Sequence, residues 1–112
     1  MARNDLPNTF EQLMLLALMR LDEQAYGVNV QREIGRRSGR EVSLGAVYTT
    51  LERLEEKGWV RSRIGAATAE RGGRAKRHYR IHASGSRALR DAIAALDQMR
   101  EDLPLGMQPK EA

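Results

Sequence analysis

The stretch SLGAVYTTLERLEEKGWV, residues 43–60, carries the strongest fold signal in this chain of 112 residues. Ser43 is a favourable helix N-cap, because its hydroxyl can accept a hydrogen bond from an amide of the first turn. Gly58 suits the position just beyond a helix end, where the backbone often turns left-handed. Between these two residues, apolar side chains recur at the spacing of a helix with one buried face. They are Leu44, Val47, Tyr48, Leu51 and Leu54.

Two runs with strand-like alternation follow this helix, at residues 59–64 and 77–82. The segment between them, GAATAERGGRAK, contains a Gly72–Gly73 pair. Alternation on both sides of a glycine-containing turn predicts a β-hairpin. Residues 58–80 hold seven basic residues and one acidic residue, a net charge of +6, whereas the whole chain has a net charge of +4. Positive charge concentrated on one element is typical of a nucleic-acid-binding protein.

Two helices are predicted before residue 43. Residues 1–8 are expected to form an arm, and Thr9 with Gln12 fits a capping box at the start of the first helix, at about 10–21. This helix is apolar nearly all round, so it must be buried on more than one side, and we expect a second subunit to cover one side. The second helix is expected over about 26–38.

A last helix is predicted over about 84–103. Its apolar stripe has nothing left to cover it in a three-helix core, so a partner subunit is expected there as well. Residues 104–112, which include Pro104 and Pro109, are expected to form a flexible tail. The residues expected at the subunit interface are Phe10, Met14, Leu18, Leu89, Ile93, Leu96 and Met99.

Three helices, a basic hairpin and a fourth helix are the elements of a winged helix-turn-helix, a mostly α fold with a small β-hairpin. Residues 9–82 would form this DNA-binding domain, and residues 83–103 a C-terminal dimerisation helix. Small residues at the start of the third helix would let its backbone approach a major groove closely, while the hairpin, or wing, would bind phosphates. The residues predicted to contact DNA are Ser43, Gly45, Ala46, Tyr48, Thr49, Thr50 and Arg53 on the helix, and Arg71, Arg74, Lys76 and Arg77 in the wing.

Three segments together resemble the PadR family of bacterial transcription regulators. They are FEQLMLLALMRLDEQAYGVNVQREI (10–34), SLGAVYTTLERLEEKGWV (43–60) and ERGGRAKRHYRIHASGSRAL (70–89). The resemblance, to the short-tailed members with a single C-terminal helix, implies a homodimeric winged-helix repressor acting on a palindromic operator. It also implies a dimer interface formed by the last helix and part of the first. Several members respond to small aromatic or lipophilic compounds, but the last helix of this chain lacks the aromatic residue that often stacks on flat drugs.

Several function classes are disfavoured. The chain has no cysteine, so disulfides and zinc fingers are excluded, and His78 and His82 have no nearby paired acids with which to hold a metal. The sequence has no motif of a catalytic nucleophile and no pair of carboxylates that would be expected to lie in a pocket, so an enzyme is not indicated. We expect no cofactor, no membrane segment, no signal peptide and a cytoplasmic location.

Two alternatives remain open at this stage. One is a sensor of small lipophilic or aromatic effectors, with a hydrophobic pocket at the dimer interface between the first and last helices. The other is a winged-helix protein-interaction module that does not bind DNA specifically. Ligand-dependent release from DNA would identify the first, and a lack of salt-dependent DNA affinity would favour the second.

Overall fold

The computed structural model describes residues 5–65 and 76–105 of the chain. This part contains four α-helices and a two-stranded antiparallel hairpin, so the predicted fold class is confirmed. A 3-10 turn at Asp22–Gln24 separates the first two helices. The elements are α1 (Thr9–Leu21), α2 (Gly27–Ser38), α3 (Leu44–Glu56), β1 (Val60–Ile64), β2 (Arg77–Ile81) and α4 (Ala83–Met99).

Helix α1 is capped one residue earlier than the sequence predicted. Asn8, not Thr9, is the N-cap: its side-chain oxygen accepts a hydrogen bond from the Glu11 amide at 2.8 Å, and Glu11 Oε1 accepts one from the Asn8 amide at 2.9 Å. Asn and Thr are both good caps, and Glu and Gln both complete a capping box. The pairs Asn8–Glu11 and Thr9–Gln12 therefore fit the same sequence pattern, and the prediction of Thr9 as the cap was wrong.

Glu11 also links α1 to the end of α3. Its side chain is only 3% exposed, and Oε2 lies 3.2 Å from Arg53 Nε and 3.4 Å from Lys57 Nζ. Burial raises the pKa of the Glu11 carboxyl, but the hydrogen bonds from the Asn8 amide, Arg53 and Lys57 outweigh burial, so the pKa lies below its ordinary value of 4.5. The carboxylate is therefore a charged, fully partnered anchor between two helices.

The core lies where α1 meets α2, α3, β2 and the first turns of α4. Met14 and Leu15 of α1 and Leu51 and Leu54 of α3 have no exposed surface. Burying a side chain of this kind stabilises the fold by about 1.5–3 kcal/mol. Helix α1 is thus covered on several sides by its own chain, which accounts for most of its apolar residues, while Leu16 and Met19 stay exposed.

The hairpin is attached to the helical body by backbone hydrogen bonds. Strands β1 and β2 pair with Val60 opposite Ile81. The Tyr79 amide donates to the Ala25 carbonyl oxygen at 3.0 Å, and the neighbouring Tyr26 forms an isolated bridge with His78. The base of the wing is therefore held against the segment that leads into α2.

Two glycines fix the turns on either side of the hairpin. Gly58 has a φ of 85°, which places it in the left-handed region and confirms its predicted role as the stop after α3. Gly85, in the first turn of α4, lies against the backbone of Trp59, and a β-carbon there would lie 3.0 Å from the Trp59 carbonyl carbon and closer still to its oxygen. Helix α4 can therefore pack at this point only with a glycine.

Candidate nucleic-acid interface

The start of α3 presents small and polar residues to solvent. Ser43 caps the helix, because its Oγ accepts a hydrogen bond from the Ala46 amide at 3.0 Å. Gly45, Ala46 and Thr49 are exposed in the first two turns. Glu52, Glu55 and Glu56 are exposed further along. Since acidic side chains repel phosphates, the surface suited to DNA is limited to the N-terminal half of the helix.

Thr50 does not belong to this surface. Its residue is 4% exposed, and it lies with Val47, Leu51 and Leu54 on the buried side of α3. The prediction that Thr50 contacts DNA is corrected by this burial. The sequence does indicate the burial of Thr50, because in a helix a residue three positions after Val47 and four before Leu54 lies on the same side as both.

Arg53 is engaged with its own chain. Its guanidinium Nε donates to Glu11 Oε2, while 44% of the side chain stays exposed. The sequence could not indicate this contact, because Glu11 lies 42 positions earlier. Arg53 therefore serves first as a cross-link between α3 and α1, and its contact with DNA stays a prediction.

Gly45 has no role in the fold that requires a glycine. Its backbone is helical, and the atom nearest to an added β-carbon is Ser43 Oγ at 4.0 Å. Glycine is less favourable than alanine in a helix by about 1 kcal/mol. Among the described residues, no contact of this position compensates for the lower stability that glycine gives α3.

Tyr48 lies beside Gly45 on the edge of the same surface and is 38% exposed. Its ring packs over Gly27, the first residue of α2. The sequence placed Tyr48 between core and surface, and the structure shows it in both environments. Its contact with DNA stays a prediction.

The base of the wing carries a dense set of cations. Lys76 Nζ lies 4.8 Å from the centre of the Tyr26 ring. Arg77 donates to Ser62 Oγ at 2.9 Å, and Ser62 in turn donates to Glu55 Oε2 at 2.8 Å, so Arg77 is linked to α3. Arg71 and Arg74, which were predicted to contact DNA, lie outside the described residues.

Three exposed arginines of the strands were missing from the predicted contact residues: Arg61, Arg63 and Arg80. Arg61 lies directly opposite Arg80 in the hairpin register. Like charges opposite one another destabilise a strand pair. The two strands nevertheless hold four arginines and no acidic residue, so the hairpin is suited to an anionic partner. The alternation of Arg61 and Arg63 with Val60 and Ser62 contained this signal.

Only some of the residues predicted to form the subunit interface are exposed. Met14, Leu18 and Leu89 are at most 4% exposed, because they pack into the core of a single chain, which corrects their assignment to the interface. Phe10 is partly buried, with the Arg40 guanidinium carbon 5.2 Å from its ring centre. The exposed apolar residues that were predicted are Ile93, Leu96 and Met99, at 40%, 56% and 77% exposure.

The two histidines have structural roles. His78 is buried at the edge of the 25–26 segment, with Nε2 3.0 Å from the Asp22 carbonyl oxygen and its ring edge-to-face with Tyr26. His82 is the N-cap residue of α4. Within residues 5–65 and 76–105, no three His, Asp or Glu side chains are grouped so as to hold a metal. In the same ranges, none of the helices has the length and apolar character needed to cross a bilayer.

Solved structures share this architecture. The PadR family transcriptional regulator of Eggerthella lenta DSM 2243 is 25% identical, aligned over 79% of this chain and 74% of that chain with a TM-score of 0.64. A transcriptional regulator from Clostridium thermocellum Cth-833 is 17% identical over 87% of this chain and 91% of that chain, with a TM-score of 0.66. The Aeropyrum pernix ORC1 protein, solved in complex with DNA, is 23% identical over 76% of this chain and 25% of that chain, with a TM-score of 0.58. The last two are similarities of fold alone.

The sequence itself gives the assignment. No curated protein matches it significantly. The model of the PadR-like transcriptional regulator family, however, matches residues 15–91, which include all of α2, α3 and the described hairpin. The match and the observed winged helix agree with each other and with the resemblance noted in the sequence. The chain belongs to the PadR-like family of transcriptional regulators.

Proposed function

We propose that this regulator is a sequence-specific DNA-binding repressor that acts as a homodimer on a palindromic operator. Gly45 carries the proposal. It is exposed at the start of α3, it lowers helix stability, and neither its φ nor a neighbouring atom requires a glycine. A helix that enters a major groove needs a small residue at this position, because a larger one would hold its backbone away from the base edges.

The charge of the hairpin supports the same proposal. Arg61, Arg63, Lys76 and Arg80 are exposed on or next to the hairpin strands, and arginine and lysine in such numbers suit the phosphates that flank a groove. A fold neighbour, the Aeropyrum pernix ORC1 protein, was solved in complex with DNA. On this model, α3 reads bases while the hairpin binds backbone phosphates.

The exposed side of α4 supports the homodimer. Ile93, Leu96 and Met99 form a stripe at helical spacing, and each is at least 40% exposed. Apolar side chains that cluster on one exposed helix face usually mark an interaction surface. Two chains joined along α4 would place two copies of α3 in successive major grooves, about 10 base pairs apart or a multiple of that spacing.

Fluorescence anisotropy tests the proposal directly. The probe is a duplex from just upstream of the coding region of this chain, compared with a scrambled duplex at two salt concentrations. We expect tight binding to the upstream duplex and weaker, strongly salt-dependent binding to the scrambled one. If the chain binds neither duplex, nor any member of a random library, the protein-interaction alternative replaces the proposal.

The effector alternative has weaker support. In the described part of the chain, a groove between α1 and α2 is lined by Leu13, Leu16, Ala17 and Ile34 and has a volume of about 150 Å³. Sites for drug-sized ligands usually enclose about 300–1,000 Å³. This groove is therefore small for such a compound, and an effector pocket between α1 and α4 of a dimer stays a prediction.

A further inference from the structure

We infer that Gly27 is a positioning residue, which sets the direction of Tyr48 on the proposed DNA-facing surface. The inference rests on the proposed function and adds to it a residue that lies outside α3. A β-carbon built on Gly27 would lie 2.5 Å from both Cε1 and Oη of Tyr48, and no real β-carbon tolerates such a distance. The ring of Tyr48 therefore occupies the space that any other residue at position 27 would need.

Nothing else about Gly27 requires a glycine. It is the first residue of α2, and its φ is not positive, unlike those of Gly39 and Gly58. Glycine is among the least favourable residues in a helix, so alanine would be preferred here if the site were open. The three heavy atoms nearest to this β-carbon position all belong to the ring and hydroxyl of Tyr48.

The obstruction is of a kind that redirects a side chain without unfolding the protein. At Gly85 the atoms in the way belong to the Trp59 backbone, which cannot move without shifting β1. At Gly27 they belong to the outer end of the Tyr48 side chain, which is 38% exposed and can rotate towards solvent. Gly27→Ala should therefore leave the fold intact while moving the Tyr48 hydroxyl away from its native position.

This contact joins two of the segments that carry the family resemblance, residues 10–34 and residues 43–60. Gly27 ends the Ala25–Tyr26–Gly27 segment, and Tyr48 lies in the first half of α3. With the ring held against α2, the hydroxyl of Tyr48 has a fixed place from which to donate a hydrogen bond to a phosphate. A hydrogen bond to a charged group commonly changes affinity by about tenfold or more.

A double-mutant cycle tests the inference. The wild-type chain, Gly27→Ala, Tyr48→Ala and the double variant are compared by anisotropy on the duplex that the wild type selects from a random library. We expect each single variant to bind about tenfold more weakly, and the double variant to bind no more weakly than Tyr48→Ala alone. The matched control is Gly35→Ala in the same helix, because a β-carbon there would meet only the Arg40 carbonyl oxygen at 3.7 Å. This control should bind within about twofold of the wild type.

Thermal unfolding of the same proteins gives a second readout. In the Tyr48→Ala background, Gly27→Ala should raise Tm by a few degrees, because alanine favours the helix and no ring obstructs it. In the wild-type background that gain should be lost or reversed. A role of Gly27 that does not involve Tyr48 would change Tm equally in both backgrounds, whereas only the binding cycle reports on DNA.

The outcomes separate this inference from the proposed function. If Gly27→Ala weakens DNA binding by the same factor with and without Tyr48, or does not weaken it at all, Gly27 does not act through Tyr48 and the inference is overturned. If the wild-type chain binds no duplex, the proposed function fails, and with it the DNA role of this pair. The Tm cycle then still decides whether Gly27 holds the Tyr48 ring in place.

Discussion

Helices α3 and α4 both bury one apolar face, but their exposed sides differ in kind. Helix α3 exposes Gly45 and Thr49 and then glutamates, whereas α4 exposes Ile93, Leu96 and Met99. A helix needs only one apolar face in order to fold against a core. On the proposed function, the residues on the other side match what each helix would meet: a polar groove for α3 and an apolar partner for α4.

The largest expected effect concerns the apolar side of α4. Leu96→Glu should convert the proposed dimer into monomers, because an unpaired charge in an apolar interface costs about 3–5 kcal/mol, or a hundredfold or more in dimer affinity. Sedimentation velocity at micromolar concentration measures the change as a halved mass.

Ala94→Glu provides the control for this change. Ala94 is also exposed, and residues two positions apart on a helix do not face the same way. This variant should keep the mass of the wild type. If Leu96→Glu also keeps that mass, the exposed stripe of α4 is not a subunit interface.

The next effect concerns the anchor at the far end of α3. Glu11→Gln removes the charge that Arg53 and Lys57 contact, so we expect a loss of stability of about 1–3 kcal/mol at neutral pH. Because the folded-state pKa of Glu11 is lowered, its stabilisation is fully present above the ordinary value of 4.5 and is lost as the pH falls through the folded-state pKa. Urea unfolding at pH 7 and pH 3 should show a gap between wild type and variant that narrows in acid. A gap that is constant with pH would mean that the charge of Glu11 contributes nothing.

A smaller effect concerns Lys76 and Arg80, two cations at the hairpin. Lys76→Ala and Arg80→Ala should each reduce the slope of log affinity against log salt by about one unit and weaken binding to all duplexes alike. Arg90→Ala on α4 is the control, since this arginine is exposed on another element. An unchanged slope for both wing variants would contradict the wing assignment.

The smallest effect is expected at Gly45, where one substitution should increase stability and weaken DNA binding. Gly45→Ala should raise the free energy of unfolding by about 0.5–1 kcal/mol, because alanine is the better helix former and the site is open. The same variant should bind the selected duplex more weakly, since the added methyl group faces the groove. Denaturant unfolding and anisotropy on one preparation measure both changes. Equal or tighter DNA binding would remove the argument from Gly45.

The order of elements could be predicted because each has its own period and its own end signals. Helix α3 shows this best: Ser43 caps it and Gly58 ends it, both as expected. Contacts between distant segments left no such pattern. The link from Glu11 to Arg53 depends on how α1 crosses α3, and the ring of Tyr48 over Gly27 depends on how α2 meets α3.

The interface was over-predicted for a related reason. An apolar α1 predicts a second subunit on one side, but much of the helix packs against α2, α3, β2 and α4 of the same chain, while Leu16 and Met19 stay exposed. Met14 and Leu18 are therefore core residues. The apolar residues of a helix show how much of its surface must be covered, but the tertiary arrangement of the other elements decides what covers it.

The hydrogen bond from the Tyr79 amide to the Ala25 carbonyl has a consequence for how such a regulator can diversify. The bond is made by main-chain atoms, so residues that keep the present backbone conformation at these two places preserve it. The backbone geometry then keeps the angle between hairpin and helices, while the side chains proposed to touch DNA are free to change. A new operator can be acquired by substitution on α3 or the strands without rebuilding the frame that presents them.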